Sequence, residues 1–116
     1  MEEPYHLIND QLILDLLYGD KEYFREFVLA SIESFSEFRD RYNEAVKNRD
    51  LKVLRDAGHK IKPAALMMNL NRLLELYENS KGMLENEQAG EIDPLVEEMN
   101  HYSDQILADL HKMLNR

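Results

Sequence analysis

From Phe24 to Ala45 an apolar or small residue returns at every third or fourth position: Phe24, Val28, Ser31, Phe35, Phe38, Tyr42 and Ala45. That spacing matches the 3.6-residue turn of an α-helix and puts these side chains on one stripe. No Gly or Pro interrupts the run from Lys21 to Asn48. A helix this long with one apolar stripe must bury it against other elements, and the rest of the chain supplies them in the same pattern.

Asp50 can cap a helix beginning at Leu51, with Leu51, Leu54, Gly58, Ile61, Ala65 and Met68 as its stripe. Asn69, a residue that tolerates a left-handed backbone, can end it. Asn71 can cap a further helix containing Leu73, Leu74 and Tyr77 and ending near Leu84. Residues 85–91, with Gly90, read as a loop. Asp93-Pro94 is a cap followed by Pro at the first helical position, and Met99, Tyr102, Ile106, Leu110 and Met113 carry the last stripe to about Leu114. A shorter element precedes the long helix. Asn9 or Asp10 can cap it, Leu12, Leu16 and Leu17 form its apolar side, Gly19 closes it and Asp20 caps the next helix. Residues 1–8 read as a tail or linker end. No Asn-Gly or Asp-Gly hairpin signal occurs. The pattern predicts an all-α chain: an antiparallel four-helix bundle with a short extra N-terminal helix across one end, forming one domain over residues 1–116.

Charge narrows the function. The chain carries a formal net charge of -9, which disfavours nucleic acid and anionic membrane surfaces, since both are bound mainly through Lys and Arg. It has no Cys, so disulfide and thiolate chemistry are excluded and a reducing, cytoplasmic setting is expected. Met1-Glu2-Glu3-Pro4 lacks the basic and apolar regions of a signal peptide. No apolar run approaches the roughly 20 residues of a membrane span. There is no Gly-rich phosphate loop and no Gly-x-Ser-x-Gly, so the chain is not an ATP-dependent kinase or a serine hydrolase of recognised type.

Chemistry on such a scaffold must come from His and carboxylates. A di-metal carboxylate bundle needs Glu-x-x-His pairs on two helices and a Glu from each of two others. Glu98-Met99-Asn100-His101 and the weaker Asp56-Ala57-Gly58-His59 have the spacing. Neither has the placement. His101 falls off its helix's stripe, and Asp56 and His59 share a face with Arg55 and Lys62, whereas metal ligands in a bundle point inward. No metal and no cofactor is expected.

Of the four His residues, His6, His101 and His111 read as ordinary surface residues. His59 differs in its surroundings. At 100° per residue, positions 55, 59, 62 and 66 align, so Arg55, His59, Lys62 and Leu66 share one face. Two cations beside an imidazole, on an acidic chain, suit an anionic group: Arg and Lys supply charge-assisted hydrogen bonds to phosphate oxygens, and imidazole is a covalent nucleophile near neutral pH. A solvated polar face would show the same spacing. Pro63, four residues after His59 and inside a strongly periodic helix, breaks a local rule at a cost of about 3 kcal/mol and predicts a kink.

The stretch His59-Lys60-Ile61-Lys62-Pro63, with Asn69 ten residues after His59, resembles the signature of histidine phosphotransfer (HPt) domains. That signature has a phosphorylatable His, an aliphatic residue two on, Lys three on, a small residue four on and Gly ten on. His59, Ile61 and Lys62 match; Pro63 and Asn69 stand where the family usually has Gly. The resemblance implies a phosphorelay intermediate. His59 would accept a phosphoryl group from a receiver-domain aspartate and pass it to another receiver domain, with Lys62 holding the phosphoryl oxygens and Arg55 assisting. Response-regulator receiver domains would be the partners, magnesium would sit on the receiver, and the chain would act as a monomer. Whether it stands alone or belongs to a hybrid sensor histidine kinase stays open. Pro63 and Leu66 would contribute to docking, opposite a wall from the second helix. Two other readings are a helical adaptor that works without phosphate and the di-metal enzyme.

Overall fold

Each long stripe becomes one helix. The computed structural model describes Ile8, residues 10–86 and residues 89–115. Helix α1 spans Asp10–Leu16, α2 Lys21–Asn48, α3 Leu51–Met67, α4 Asn71–Glu85 and α5 Asp93–Leu114, with a 3-10 turn at Ala89–Glu91. No strand occurs among the described residues. Helices α2 to α5 pack as an antiparallel four-helix bundle in which each contacts the next and α5 returns to α2, leaving α3 and α5 at opposite corners. The antiparallel register of α2 and α5 is visible in cross-helix bonds. Arg25 reaches the Leu114 carbonyl, Arg39 pairs with Asp104, and Asn43 and Asn100 exchange amide hydrogen bonds of 2.8 and 2.9 Å. Residue numbers rise along α2 as their partners fall along α5.

Local chemistry sets the boundaries. The Asp20 carboxylate accepts from the Glu22 and Tyr23 amides, and that of Asp50 accepts from the Val53 amide, satisfying N–H groups that have no partner inside the helix. Between α2 and α3 the chain turns on Arg49, in the left-handed region at φ 53°, which lets the Asp50 amide bond back to the Ala45 carbonyl at 2.8 Å. Asn69, at φ 60°, ends α3 in the same way, with the Leu70 amide on the Ala65 carbonyl. Gly19, at φ 73°, does so before α2.

Helix lengths decide what lies at the ends. At 1.5 Å per residue, the 28 residues of α2 span about 42 Å, nearly the 46 Å longest dimension of the fold. The 17 residues of α3 and 15 of α4 are much shorter. The N-terminal segment closes the end where α2 begins and α5 finishes. Helix α1 packs on α2, Ile13 is fully buried, and the amide of buried Ile8 donates to the buried Asp109 carboxyl of α5 at 3.3 Å.

Four expectations need correction here. The apolar side of α1 is not Leu12 and Leu16, which are 42% and 49% exposed; Ile13 is the core residue. In a helix this short with apolar residues on most sides, Ile13 and Leu17 satisfy the four-residue spacing as well as Leu12 and Leu16 do, and the bundle end selects them. Ile8 belongs to the core rather than to a tail. Asn71 is the first residue of α4 and its side chain turns back to Asn69, so Leu70 occupies the cap without a side-chain bond. Helix α5 begins one residue early, with Ile92 at the cap position and Asp93 already helical. The expected cap at Asn9 lies outside the described residues, as do residues 1–7, and Asp10 is already the first residue of α1. The α2 stripe is buried as expected, residue for residue.

The core holds one hydroxyl pair. Tyr42, fully buried on α2, shares a 2.7 Å hydrogen bond with Ser80 on α4, and Ser80 also donates to the Leu76 carbonyl. Burial raises the Tyr42 hydroxyl above its ordinary pKa of 10.0, with the Ser80 bond opposing. A raised pKa in the folded state leaves stability unaffected below the unfolded value and removes it as pH climbs towards the folded one. Tyr42→Phe is expected to cost about 1 kcal/mol at neutral pH, the net value of one buried hydrogen bond. Above about pH 10 the gap should narrow, because only the wild type then has to ionise Tyr42 on folding's loss. Urea melts of both proteins across that range measure it.

Candidate functional site

Helix α3 concentrates positive charge. It carries Lys52, Arg55, Lys60 and Lys62 against the single carboxylate of Asp56. Its buried residues, Leu54, Ala57, Gly58, Ile61 and Ala65, fix which way the rest must face. His59 falls on the opposite side and is exposed. Among the described residues nothing forms a hydrogen bond or ion pair with its imidazole, so both ring nitrogens are open to a partner.

Gly58, one residue earlier, holds that orientation. A Cβ at Gly58 would lie 2.1 Å from Cζ of Tyr77, so the buried Tyr77 ring occupies the space a side chain would need. Helix α4 thus presses against the α3 backbone immediately beside His59. The Lys81 ammonium lies 5.5 Å from the centre of the Tyr77 ring, a cation–π distance. Burial raises the Tyr77 hydroxyl above its ordinary value, with the Lys81 charge opposing.

The residues expected at the site separate into two groups. Lys62, Pro63 and Leu66 are exposed on the same crest as His59, with Leu66 53% exposed. Lys62 has no ion-pair partner among the described residues. The helix continues through Pro63 to Met67, and Pro63 leaves the His59 carbonyl without its usual backbone donor. Arg55 shares the crest by spacing, but its guanidinium pairs with Glu85 of α4 at 3.0 Å.

On the other flank of His59, a groove of about 630 Å³ runs between α2 and α3. Ser34, Glu37 and Arg41 form its α2 wall, Phe38 and Ile61 lie beneath, and His59 stands on its rim. Lys60 bridges it to Glu37 at 3.2 Å. These α2 residues are the wall that periodicity alone left unassigned. The signal that finds them is the two-residue connection at Arg49 and Asp50, which makes residues equidistant from that turn face each other.

Elsewhere the side chains point to structure. Glu98 is bound by Arg72, which also pairs with Glu75, and the His101 imidazole shares a 3.2 Å hydrogen bond with Gln105. Among the described residues no group of three or more His, Asp or Glu is placed to hold a metal ion. His111 is exposed, and His6 lies outside the described residues. No helix among the described residues is long and apolar enough to cross a membrane.

The Gly58–Tyr77 contact gives a direct test of what orients His59. Gly58→Ala is expected to lose about 1–3 kcal/mol, the usual cost of forcing extra volume into a packed site. In a Tyr77→Ala background the same change should cost far less, which a double-mutant cycle of urea melts would show.

No family model matches the chain, and no curated protein or solved structure matches it either.

Proposed function

We propose that the chain is a phosphorelay intermediate that carries a phosphoryl group on His59, as its resemblance to histidine phosphotransfer domains implies. The observation that supports this most is the state of His59: an exposed imidazole without a protein partner, on the crest of α3 beside the unpaired Lys62. A structural His gains nothing from such a place, whereas a nucleophile that must meet another protein's side chain requires it.

In the proposed reaction the donor is a receiver domain holding an acyl phosphate on an aspartate. The Nε2 lone pair of neutral His59, with the ring proton on Nδ1, attacks phosphorus in line with the bond to the aspartyl oxygen. An N–P bond forms, the P–O bond breaks, and the receiver aspartate departs as a carboxylate. A carboxylate of a second receiver takes the group by the reverse displacement. Little covalent chemistry falls to the carrier, so its contribution is position and charge. Lys62, three residues after His59, supplies donors to the phosphoryl oxygens. Arg55 is a weaker candidate, since Glu85 already engages it. The cations of α3 offset the repulsion between an acidic receiver site and a chain of net charge -9. The carrier itself needs no metal or nucleotide. It acts as a monomer in the cytoplasm, where receiver domains and hybrid sensor kinases present their aspartates.

His59→Gln should leave helix content and melting nearly unchanged, because the side chain is exposed and makes no hydrogen bond or ion pair among the described residues. It should abolish phosphoryl uptake from a receiver charged with acetyl phosphate. Label persisting on another residue would overturn the assignment, and full cellular function without His59 would favour a phosphate-independent adaptor. Lys62→Ala should slow single-turnover transfer roughly ten-fold, corresponding to about 1.4 kcal/mol from an exposed charge-assisted bond. An unchanged rate would remove Lys62 from the site.

A further inference from the structure

Five cations of this protein, Arg39, Arg55, Lys60, Arg72 and Lys81, each hold a carboxylate. Around the α2–α3 turn lie cations that do not. Arg41, Arg49 and Lys52 are exposed and, among the described residues, make no ion pair and no side-chain hydrogen bond. Lys52 is seven residues before His59, two helical turns and about 10 Å along the same crest. Arg41 lines the groove whose rim His59 forms, and Arg49 is the left-handed residue of the turn itself.

In the other direction along the crest the surface changes character. Leu66 is seven residues after His59, exposed, and preceded by Pro63; no cation follows Lys62 in α3. His59 therefore stands between a cationic flank and an apolar one. The two flanks act at different stages of binding. Unneutralised charge steers encounter and suppresses wrong approaches, while a desolvated apolar contact slows departure. The rest of the molecule adds to the steering, because α5, at the corner opposite α3, exposes the carboxylates of Asp93 and Glu97 without an ion-pair partner among the described residues, whereas its Glu98 and Asp104 are held by Arg72 and Arg39. An acidic partner is repelled by that side and drawn to the α3 side.

We propose that the receiver domain docks in one orientation, with an acidic flank over Arg41, Arg49 and Lys52 and an apolar flank over Leu66, placing its phospho-aspartate over His59. This rests on the reading of His59 as a phosphoryl carrier, since that reading makes a receiver the partner. Charge complementarity selects the occupant: an unpaired cationic strip beside a phosphoryl site fits the carboxylate-rich surround of an acyl phosphate and would repel a basic partner.

The test measures association and dissociation of purified receiver domains with the wild type, Arg41→Glu/Arg49→Glu/Lys52→Glu, the corresponding triple Gln variant, Leu66→Asp, Lys47→Glu and His59→Gln. Lys47 is an exposed, unpaired cation at the same end of α2 but about 120° around the helix from Arg41, so it controls for charge alone. The triple Glu variant should associate at least about ten-fold more slowly at roughly 50 mM salt and differ little at roughly 500 mM, with the Gln variant between it and wild type. Lys47→Glu should stay within about two-fold of wild type, Leu66→Asp should mainly speed dissociation, and His59→Gln should take up no phosphate. A triple variant indistinguishable from Lys47→Glu, or a loss independent of salt, overturns the orientation, while phosphate found on His59 in the same mixtures leaves the carrier reading standing. Charge-dependent binding with no phosphate on His59 does the opposite. If no receiver binds the wild type, both are overturned.

Discussion

The fold depends on one seam. The α2 stripe from Phe24 to Ala45 is buried along its whole length, and α2 is the helix against which α1, α3 and α5 all pack. Burying one large apolar side chain contributes about 1.5–3 kcal/mol before entropy is subtracted, so four aromatic rings and a valine on one helix outweigh any surface ion pair here. The ion pairs and the Asn43–Asn100 exchange act differently. They lie at the edges of the α2–α5 contact and favour one register among several that would bury similar area.

The site inherits its geometry from that packing. Helix α3 is gripped on one side by α2 and on the other by the Tyr77 ring against Gly58. With the buried face fixed, His59 has only the outward direction left. On the proposed reading, a nucleophile on this crest would need no loop to place it and no lid to open, which suits a group that has to meet more than one partner. The same exposure means that the surrounding protein contributes few contacts, so selectivity must come from what flanks the imidazole.

Much of this was legible in the sequence, for identifiable reasons. The α2 stripe is unambiguous because Gly and Pro are absent and Phe24, Phe35, Phe38 and Tyr42 fall on it at helical spacing. Asp20, Asp50, Gly19 and Asn69 sit where caps and left-handed residues are needed, and the structure uses them so. Periodicity fails where a helix is too short to define a phase, as at Ile13, or where small and polar residues share the core. Ala57, Ser80, Ser103 and Asp109 are all buried, yet none carries the apolar signal on which a stripe is read. Arg49 adopts the left-handed turn without being Gly or Asn, so nothing in its identity announces it. Arg55, His59, Lys62 and Leu66 share one exposed face, as a helix wheel requires from spacing alone. The engagement of Arg55 by Glu85, and the α2 wall at Ser34, Glu37 and Arg41, involve residues far apart in sequence and emerge only when the helices are set side by side.

The distribution of charge carries the argument one step beyond the fold. An acidic chain needs few cations for solubility, and those that tie helices together are matched to carboxylates: Arg39 to Asp104, Arg55 to Glu85, Lys60 to Glu37 and Arg72 to Glu98. Unmatched cations could be scattered by chance, since an exposed Lys or Arg costs little when left in water. At the α2–α3 turn Arg41, Arg49 and Lys52 are grouped, at the end of α2, in the turn and at the start of the helix that bears His59. Grouping like charges within a Debye length costs some repulsion, about 8–10 Å being the range over which it acts at physiological salt. Folding gains nothing from this arrangement. On the proposed reading an acidic partner arriving at His59 would gain, because its approach would neutralise the cluster and remove that repulsion at the moment of contact.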